Sequence, residues 1–87
     1  MPRSPIVAIV DDDEAIRDAL SDLLMFEGFS CHSFERASAF LAAIGRTPFD
    51  CVITDMRMPG MSGLELLAQL RALGSDLPAI MLTSVAD

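Results

Sequence analysis

Short apolar runs alternate with segments of helical periodicity along the whole sequence, and this alternation restricts the chain to a few folds. The runs Ile6–Val10, 51–53 and Ala79–Leu82 are each unbroken by a polar residue. Unbroken runs of this length are typical of parallel strands that helices cover on both faces. Residues 29–34 are mixed in character and predict a strand at the edge of the sheet.

The segments between the runs carry apolar residues at intervals of three and four, which is the spacing of a helix with one buried face. Three helices are predicted, and they end near Gly28, Gly45 and Gly74. Ser62, with Glu65 three residues later, is the signature of a capping box at the start of the third helix. The predicted buried positions are Ile16, Leu20, Leu23 and Leu24, then Ala37, Phe40, Leu41 and Ile44, and finally Leu66, Leu67, Leu70 and Leu73.

Strands that alternate with helices at this spacing form βαβ units, whose right-handed crossovers build a parallel sheet covered on both sides. A chain of 87 residues can bury one core and no more. We therefore predict one α/β domain, residues 1–87, in which four strands and three helices fill the chain. The first strand and the strand that ends at Asp55 are expected to be neighbours in the sheet.

Oxygen-bearing side chains follow three of the predicted strands. They are Asp11, Asp12 and Asp13 after the first strand, Asp55 at the end of the third, and Thr83 and Ser84 after the fourth. The carboxyl ends of parallel strands lie at one rim of the sheet, where ligands bind in such folds. We therefore expect Asp11, Asp12 and Asp55 to converge. The alternative is that each acid only caps the helix or turn that follows it, as single acids after strands commonly do.

Carboxylates in close contact repel one another, so that one takes up a proton or a cation binds between them. Oxygen ligands in a site open to water favour Mg2+, and a backbone carbonyl of the loop after Asp55 can add a ligand. With such an ion present, an aspartate oxygen is a competent nucleophile toward a phosphoryl group. Thr83 can then hydrogen-bond the new phosphoryl oxygens, and the added charge can reposition that hydroxyl and its loop.

Composition excludes several other classes of function. The net charge of −7 and six scattered arginines leave no clustered basic face for nucleic acid, and the absence of lysine excludes a Walker phosphate loop and Schiff-base chemistry. The apolar runs are far shorter than the roughly 20 residues of a membrane span, and no secretory signal is recognisable. Cys31 and Cys51 are expected to be reduced core residues of a cytosolic protein, and His32, without a second histidine, an edge-strand side chain.

Three segments together resemble the bacterial two-component response-regulator receiver domains and, among these, the FixJ-like branch of transcriptional regulators. They are residues 9–14, IVDDDE, residues 53–63, ITDMRMPGMSG, and residues 82–84, LTS. The resemblance implies a flavodoxin-like (CheY-like) fold of three layers, with a parallel sheet of strand order 2-1-3-4 and no fifth strand. It also implies a cytoplasmic signalling domain rather than an enzyme.

By this resemblance, Asp55 is the residue that a histidine kinase phosphorylates, and Thr83 is the switch hydroxyl. Asp11, or Asp12 together with it, holds Mg2+ with Asp55 and the backbone carbonyl of Arg57. The output is expected to be transcription, controlled through a DNA-binding domain outside this chain.

Receiver domains continue past the fourth strand through another helix, a fifth strand that carries a lysine, and a last helix. The sequence contains none of these. We therefore expect a chain truncated after the fourth strand, a part of a longer protein, or a chain that completes its sheet by exchange with a partner. Without a fifth strand, Ala79–Leu82 becomes an exposed apolar edge, which favours a homodimer or a strand-exchanged dimer.

Two other functions fit part of the pattern. A phosphohydrolase of the haloacid-dehalogenase kind would use Asp11 as nucleophile and Asp13 as acid, but it leaves Asp55 without a role. In the receiver interpretation, Asp13 caps a helix instead. A receiver-fold interaction module without phosphoryl chemistry would use all the acids as caps, and the absence of lysine adds weight to that alternative.

Overall fold

The computed structural model describes residues 4–83, which form a parallel sheet between two layers of helices. The elements are β1 (Ile6–Val10), α1 (Glu14–Phe26), β2 (Ser30–Phe34), α2 (Ala37–Ala43), β3 (Cys51–Asp55), α3 (Gly63–Ala72) and β4 (Ala79–Leu82). The strands lie in the order β2-β1-β3-β4, and each neighbouring pair is parallel. The predicted α/β fold, its strand order and the pairing of β1 with β3 are therefore confirmed.

The central strand β1 is buried on both of its faces. Ala8 and Val10 lie in a buried cluster with residues of α2 and α3, whereas Val7 and Ile9 are buried on the opposite face, against α1. The neighbouring strand β3 contributes to both clusters. The unbroken apolar runs of the sequence thus correspond to strands that are covered on both sides.

The apolar face of α1 differs in part from the prediction. Leu20 and Leu24 pack against the sheet, but Ile16 and Leu23 are 42% and 58% exposed. Seven residues are nearly two helical turns, so Ile16 and Leu23 share one flank of the helix, beside the face that meets the sheet. Leu73 was also expected to be buried, but it is exposed because α3 ends one residue before it.

The ends of the helices follow local signals in the sequence. At the start of α3, the Glu65 N–H donates to the Ser62 hydroxyl at 3.1 Å, and the Ser62 N–H donates to the Glu65 carboxylate at 2.9 Å. The predicted capping box is therefore confirmed. After α1 and α3 the chain turns at Gly28 and Gly74, whose φ angles of 97° and 82° favour glycine.

The cysteines and the histidine lie on the sheet. Cys31 and Cys51 have free thiols, as expected, and lie on either side of Val7 in β1. Both side chains are half-buried rather than part of the core, because one belongs to the edge strand and the other begins its strand. His32 is an exposed side chain of the edge strand β2, as predicted, and packs edge to face against Phe49.

The helices of residues 4–83 are short or polar. None of them combines the length and the apolar character that a crossing of the bilayer requires.

Candidate functional site

Three carboxylates meet at the carboxyl ends of the two central strands. Asp11 directly follows β1 and Asp55 ends β3, and these strands are neighbours with Val10 paired to Thr54. One oxygen from each of Asp11, Asp12 and Asp55 lies within 4.8 Å of the others. The structure thus brings together the three acids that the sequence predicts to converge.

Asp11 is the most constrained of the three acids, because its side chain is only 2% exposed. Its Oδ1 accepts a hydrogen bond of 2.9 Å from the Asp13 N–H. Burial raises the pKa of the Asp11 carboxyl, and the negative charges of Asp55, Asp12 and Asp13 raise it further, against the opposite effect of the Asp13 N–H. The cluster therefore holds unfavourable negative charge that a bound cation would neutralise.

Asp13 has a different role from its two predecessors. Its Oδ1 accepts hydrogen bonds from the backbone N–H groups of Ala15 at 2.9 Å and Ile16 at 3.3 Å. This is the geometry of a helix N-cap at the start of α1. The Asp13 carboxylate thus caps the helix, as the receiver interpretation expects. These hydrogen bonds argue against a role of Asp13 as the acid of a phosphohydrolase.

Asp55 is half-buried at the end of β3, and the loop that follows it folds back on its side chain. The Arg57 N–H donates to Asp55 Oδ1 at 3.2 Å, which places the Arg57 backbone beside the carboxylate. The Met56 N–H donates to the Leu82 carbonyl at 3.1 Å, so the same loop is attached to the end of β4. Asp55 therefore ends β3 with its carboxylate bound by the Arg57 N–H, and the loop after it is attached to β4 through Met56.

Thr83 directly follows β4 and is exposed. Together with acids of the cluster it lines an open pocket of about 160 Å³, whose lining residues are Asp11, Ile16, Asp55, Leu82 and Thr83. Thr83, the predicted switch residue, therefore lines the same pocket as Asp55, the predicted phosphoryl acceptor. Ser84, which the sequence placed at the same rim, lies outside the described residues.

Two residues at this rim make contacts that the sequence did not predict. Gly63 begins α3 so close to the end of β3 that a Cβ built on it would be 2.5 Å from the Asp55 carbonyl oxygen. Arg17 of α1 reaches back to β1, where its Nη1 donates to the Asp11 carbonyl oxygen at 2.7 Å. Each contact joins two separate elements of the fold, so residue type and spacing did not indicate it.

Comparisons with known proteins place this geometry in a family. Residues 7–87 match the response regulator receiver domain family. The chain is 42% identical over 81 residues to the transcriptional regulatory protein FixJ of Bradyrhizobium diazoefficiens, a match that covers 93% of this chain and 40% of FixJ. It is 41% identical over 85 residues to the response regulator protein TodT of Pseudomonas putida, covering 98% of this chain and 37% of TodT.

Solved structures agree with the sequence comparisons. The crystal structure of FixJ-N superimposes with a TM-score of 0.86 at 39% sequence identity, over 94% of this chain and 66% of that one. The chain spans about two fifths of the length of full-length FixJ and TodT. From the family match, the relatives and the CheY-like arrangement of strands, we conclude that this chain belongs to the response regulator receiver domain family.

Proposed function

We propose that residues 1–87 form one receiver domain of a two-component system, in which Asp55 accepts a phosphoryl group from a histidine kinase. The observation that carries this proposal is the convergence of the Asp11, Asp12 and Asp55 carboxylates within 4.8 Å at the carboxyl ends of neighbouring strands. The reaction is acceptance of a phosphoryl group by the protein itself. The only reactions that the protein itself would promote are its own phosphorylation from small donors and the hydrolysis of the resulting phosphoryl group.

The same residues fit a divalent cation. Asp11, Asp12, Asp55 and the backbone carbonyl of Arg57 would hold Mg2+, since hard oxygen ligands with room for water suit this ion. The raised pKa of Asp11 supports the fit, because part of its cause is the repulsion that a cation would relieve. When bound, Mg2+ supplies positive charge that neutralises the incoming phosphoryl oxygens.

The Asp55 carboxylate acts as the nucleophile. Its Oδ1 is engaged by the Arg57 N–H, so we assign the attack on phosphorus to Oδ2. A new bond forms between this oxygen and phosphorus while the bond from phosphorus to the imidazole nitrogen of the donor breaks, and the electron pair of that bond leaves with the nitrogen. The product is an acyl phosphate at the end of β3.

Thr83 then transmits the change. Thr83 lines the pocket beside Asp55, and its hydroxyl would donate a hydrogen bond to a phosphoryl oxygen. Movement of Thr83 toward that oxygen would shift the end of β4, whose last carbonyl, at Leu82, accepts the Met56 N–H. The chemical step would thus alter the surface around β4 and the loop after β3.

The output we propose is transcription. FixJ of Bradyrhizobium diazoefficiens is named as a transcriptional regulatory protein, and this chain matches only 40% of its length. A DNA-binding output domain would lie outside the present chain. The receiver domain itself is not expected to bind nucleic acid, because its net charge of −7 would repel the phosphates.

The test is the transfer of a phosphoryl group from phosphoramidate, whose phosphorus–nitrogen bond resembles that of phosphohistidine. With Mg2+, the intact protein should gain the mass of one phosphoryl group, and chelation of the metal should prevent the gain. Asp55→Asn should abolish the gain, whereas Asp76→Asn, at an exposed acid before β4, should leave it unchanged.

Two results would contradict the proposal. Labelling that persists in Asp55→Asn and is lost in Asp11→Asn would indicate the phosphohydrolase alternative. A wild-type protein that gains no mass and shows no amide chemical-shift change at Asp11, Asp12 or Asp55 on addition of Mg2+ would indicate an interaction module without phosphoryl chemistry.

A further inference from the structure

Arg17 is attached to both ends of the acidic segment that follows β1. Its side-chain Nη1 donates to the carbonyl oxygen of Asp11 at 2.7 Å. Its backbone N–H donates to the carbonyl oxygen of Asp13 at 3.1 Å. A single residue of α1 therefore fixes the beginning and the end of residues 11–13.

The Asp11 carbonyl lies where the hydrogen bonding of the sheet ends. The pairing of β1 with both of its neighbours runs as far as Val10, and one further bond joins the Asp11 N–H to the Phe34 carbonyl. A backbone carbonyl at a buried residue needs a donor, and the lack of one costs about 1–3 kcal/mol. The Arg17 guanidinium supplies this donor with a charge-assisted bond, which is stronger than a neutral one.

The same bond controls the position of two carboxylates. Asp11 and Asp12 are joined by a planar peptide unit, so fixing the carbonyl oxygen also fixes the plane from which both side chains begin. Repulsion between the carboxylates would tend to separate these side chains. Within residues 4–83 the guanidinium bonds to a backbone carbonyl and not to a carboxylate, so it can oppose this movement without occupying a ligand oxygen.

We propose that Arg17 is a positioning residue of the cation site, which holds the Asp11–Asp12 peptide so that both carboxylates stay in reach of Asp55. This inference rests on the proposed function. In metal sites, residues that do not bind the ion often orient those that do, and we assign this task to Arg17. Replacing such a residue commonly weakens metal binding by about 10- to 100-fold.

A purely electrostatic role of Arg17 predicts the opposite result. Loss of a positive charge near the cluster would leave the site more negative and would strengthen the binding of a cation. Loss of positioning weakens it, so the direction of the change separates the two roles.

The experiment compares Arg17→Gln and Arg17→Lys with a matched control. Arg46→Gln also removes a guanidinium that donates to a backbone carbonyl, that of Ala42, but at the end of α2. Two quantities are measured on the full chain below its unfolding temperature. They are the hydrogen-exchange rate of the Asp13 amide without metal, and the dissociation constant for Mg2+ from a calorimetric titration.

In Arg17→Gln we expect faster exchange at Asp13 and Mg2+ binding weakened about tenfold. Arg17→Lys should bind Mg2+ more tightly than Arg17→Gln, because an ammonium can still donate to the Asp11 carbonyl. Arg46→Gln should match wild type in both quantities.

Unchanged exchange at Asp13 in Arg17→Gln, or a Mg2+ affinity equal to or above that of wild type, would overturn the assignment. Absence of Mg2+ binding by the wild-type chain would instead overturn the proposed function. In that case the exchange rate at Asp13 would still decide whether Arg17 fixes the acidic segment.

Discussion

Gly63 at the start of α3 touches the backbone of Asp55, the last residue of β3. A Cβ built on Gly63 would lie 2.5 Å from the Asp55 carbonyl oxygen and 3.1 Å from both the Met56 Cα and the Met81 Sδ. Two of these atoms belong to the backbone and cannot move aside as a flexible side chain can. The helix can therefore begin at this point only because residue 63 is glycine.

Gly63→Ala should destabilise the chain and disturb the proposed phosphorylation site. The added methyl group would push α3 away from the end of β3, and such overpacking costs about 1–3 kcal/mol. Chemical unfolding would measure the loss of stability, and phosphoryl incorporation from phosphoramidate should fall. Gly45→Ala is the control, because a Cβ there meets no atom within 4 Å. Equal effects of the two substitutions would contradict the role of the Gly63 contact.

Ser62→Ala should remove half of the capping box of α3 and lower the free energy of unfolding by about 1 kcal/mol. The substitution leaves the Glu65 N–H without the hydroxyl oxygen that accepts its hydrogen bond. Urea unfolding would measure the change, with Ser38→Ala on the exposed surface of α2 as the control. A loss no greater than that of the control would show that the cap does not stabilise the helix in solution.

The other half of the capping box should depend on pH. Hydrogen bonds from Ser62 lower the pKa of Glu65 below its ordinary value of 4.5. The folded state therefore favours the carboxylate, and its contribution to stability is present above that value and is lost as the pH falls through the lowered pKa. Glu65→Ala should reduce stability at pH 7 and have less effect at strongly acidic pH. A difference from wild type that does not shrink on acidification would contradict this.

Asp11→Asn should stabilise the metal-free protein at neutral pH. Burial and neighbouring negative charges raise the pKa of Asp11, so its ionisation disfavours the folded state once the pH exceeds the ordinary value of 3.8. Asparagine removes the charge and keeps an oxygen for the Asp13 N–H. The greater stability of Asp11→Asn should appear in thermal unfolding at pH 7. It should vanish when the pH is well below the ordinary pKa of 3.8, where both proteins are uncharged at this position.

In the presence of Mg2+, the wild type should become more stable to heat than Asp11→Asn. Ligands that bind the folded state raise its stability, and the wild type would bind the ion more tightly than Asp11→Asn. Asp22→Asn, at an exposed acid of α1, serves as the control for general charge effects. A variant less stable than wild type without metal would show that Asp11 is held by interactions stronger than the repulsion.

The strand β4 lies at the edge of the sheet among residues 4–83, and we propose that the chain self-associates through this edge. Ile80 in the middle of the strand is 52% exposed, and apolar edge strands pair with other chains. We expect Ile80→Lys to reduce any dimer seen by sedimentation velocity, because a charge at an edge opposes pairing. Leu64→Lys changes a residue of similar exposure on α3 and should have no such effect. A dimer that Ile80→Lys leaves unchanged would rule out this edge.

Much of the fold follows from local sequence. The unbroken apolar residues of β1 predict a strand covered on both faces, and Ser62 with Glu65 predicts where α3 begins. Both signals depend on interactions between residues a few positions apart, which the chain carries in any context. The convergence of Asp11, Asp12 and Asp55 could be expected too, because a parallel sheet with adjacent central strands brings their carboxyl ends together.

The remaining features depended on how the elements pack. Ile16 and Leu23 have the spacing of a buried face but lie on the exposed flank of α1, since the sheet meets only part of the helix. The contact of Gly63 with Asp55 and the bond from Arg17 to Asp11 join separate elements. Residue types and their spacing thus determined the order of the elements and the acids at the rim. Only tertiary structure decided which backbone atoms come within contact distance, because that depends on the relative placement of whole helices and strands.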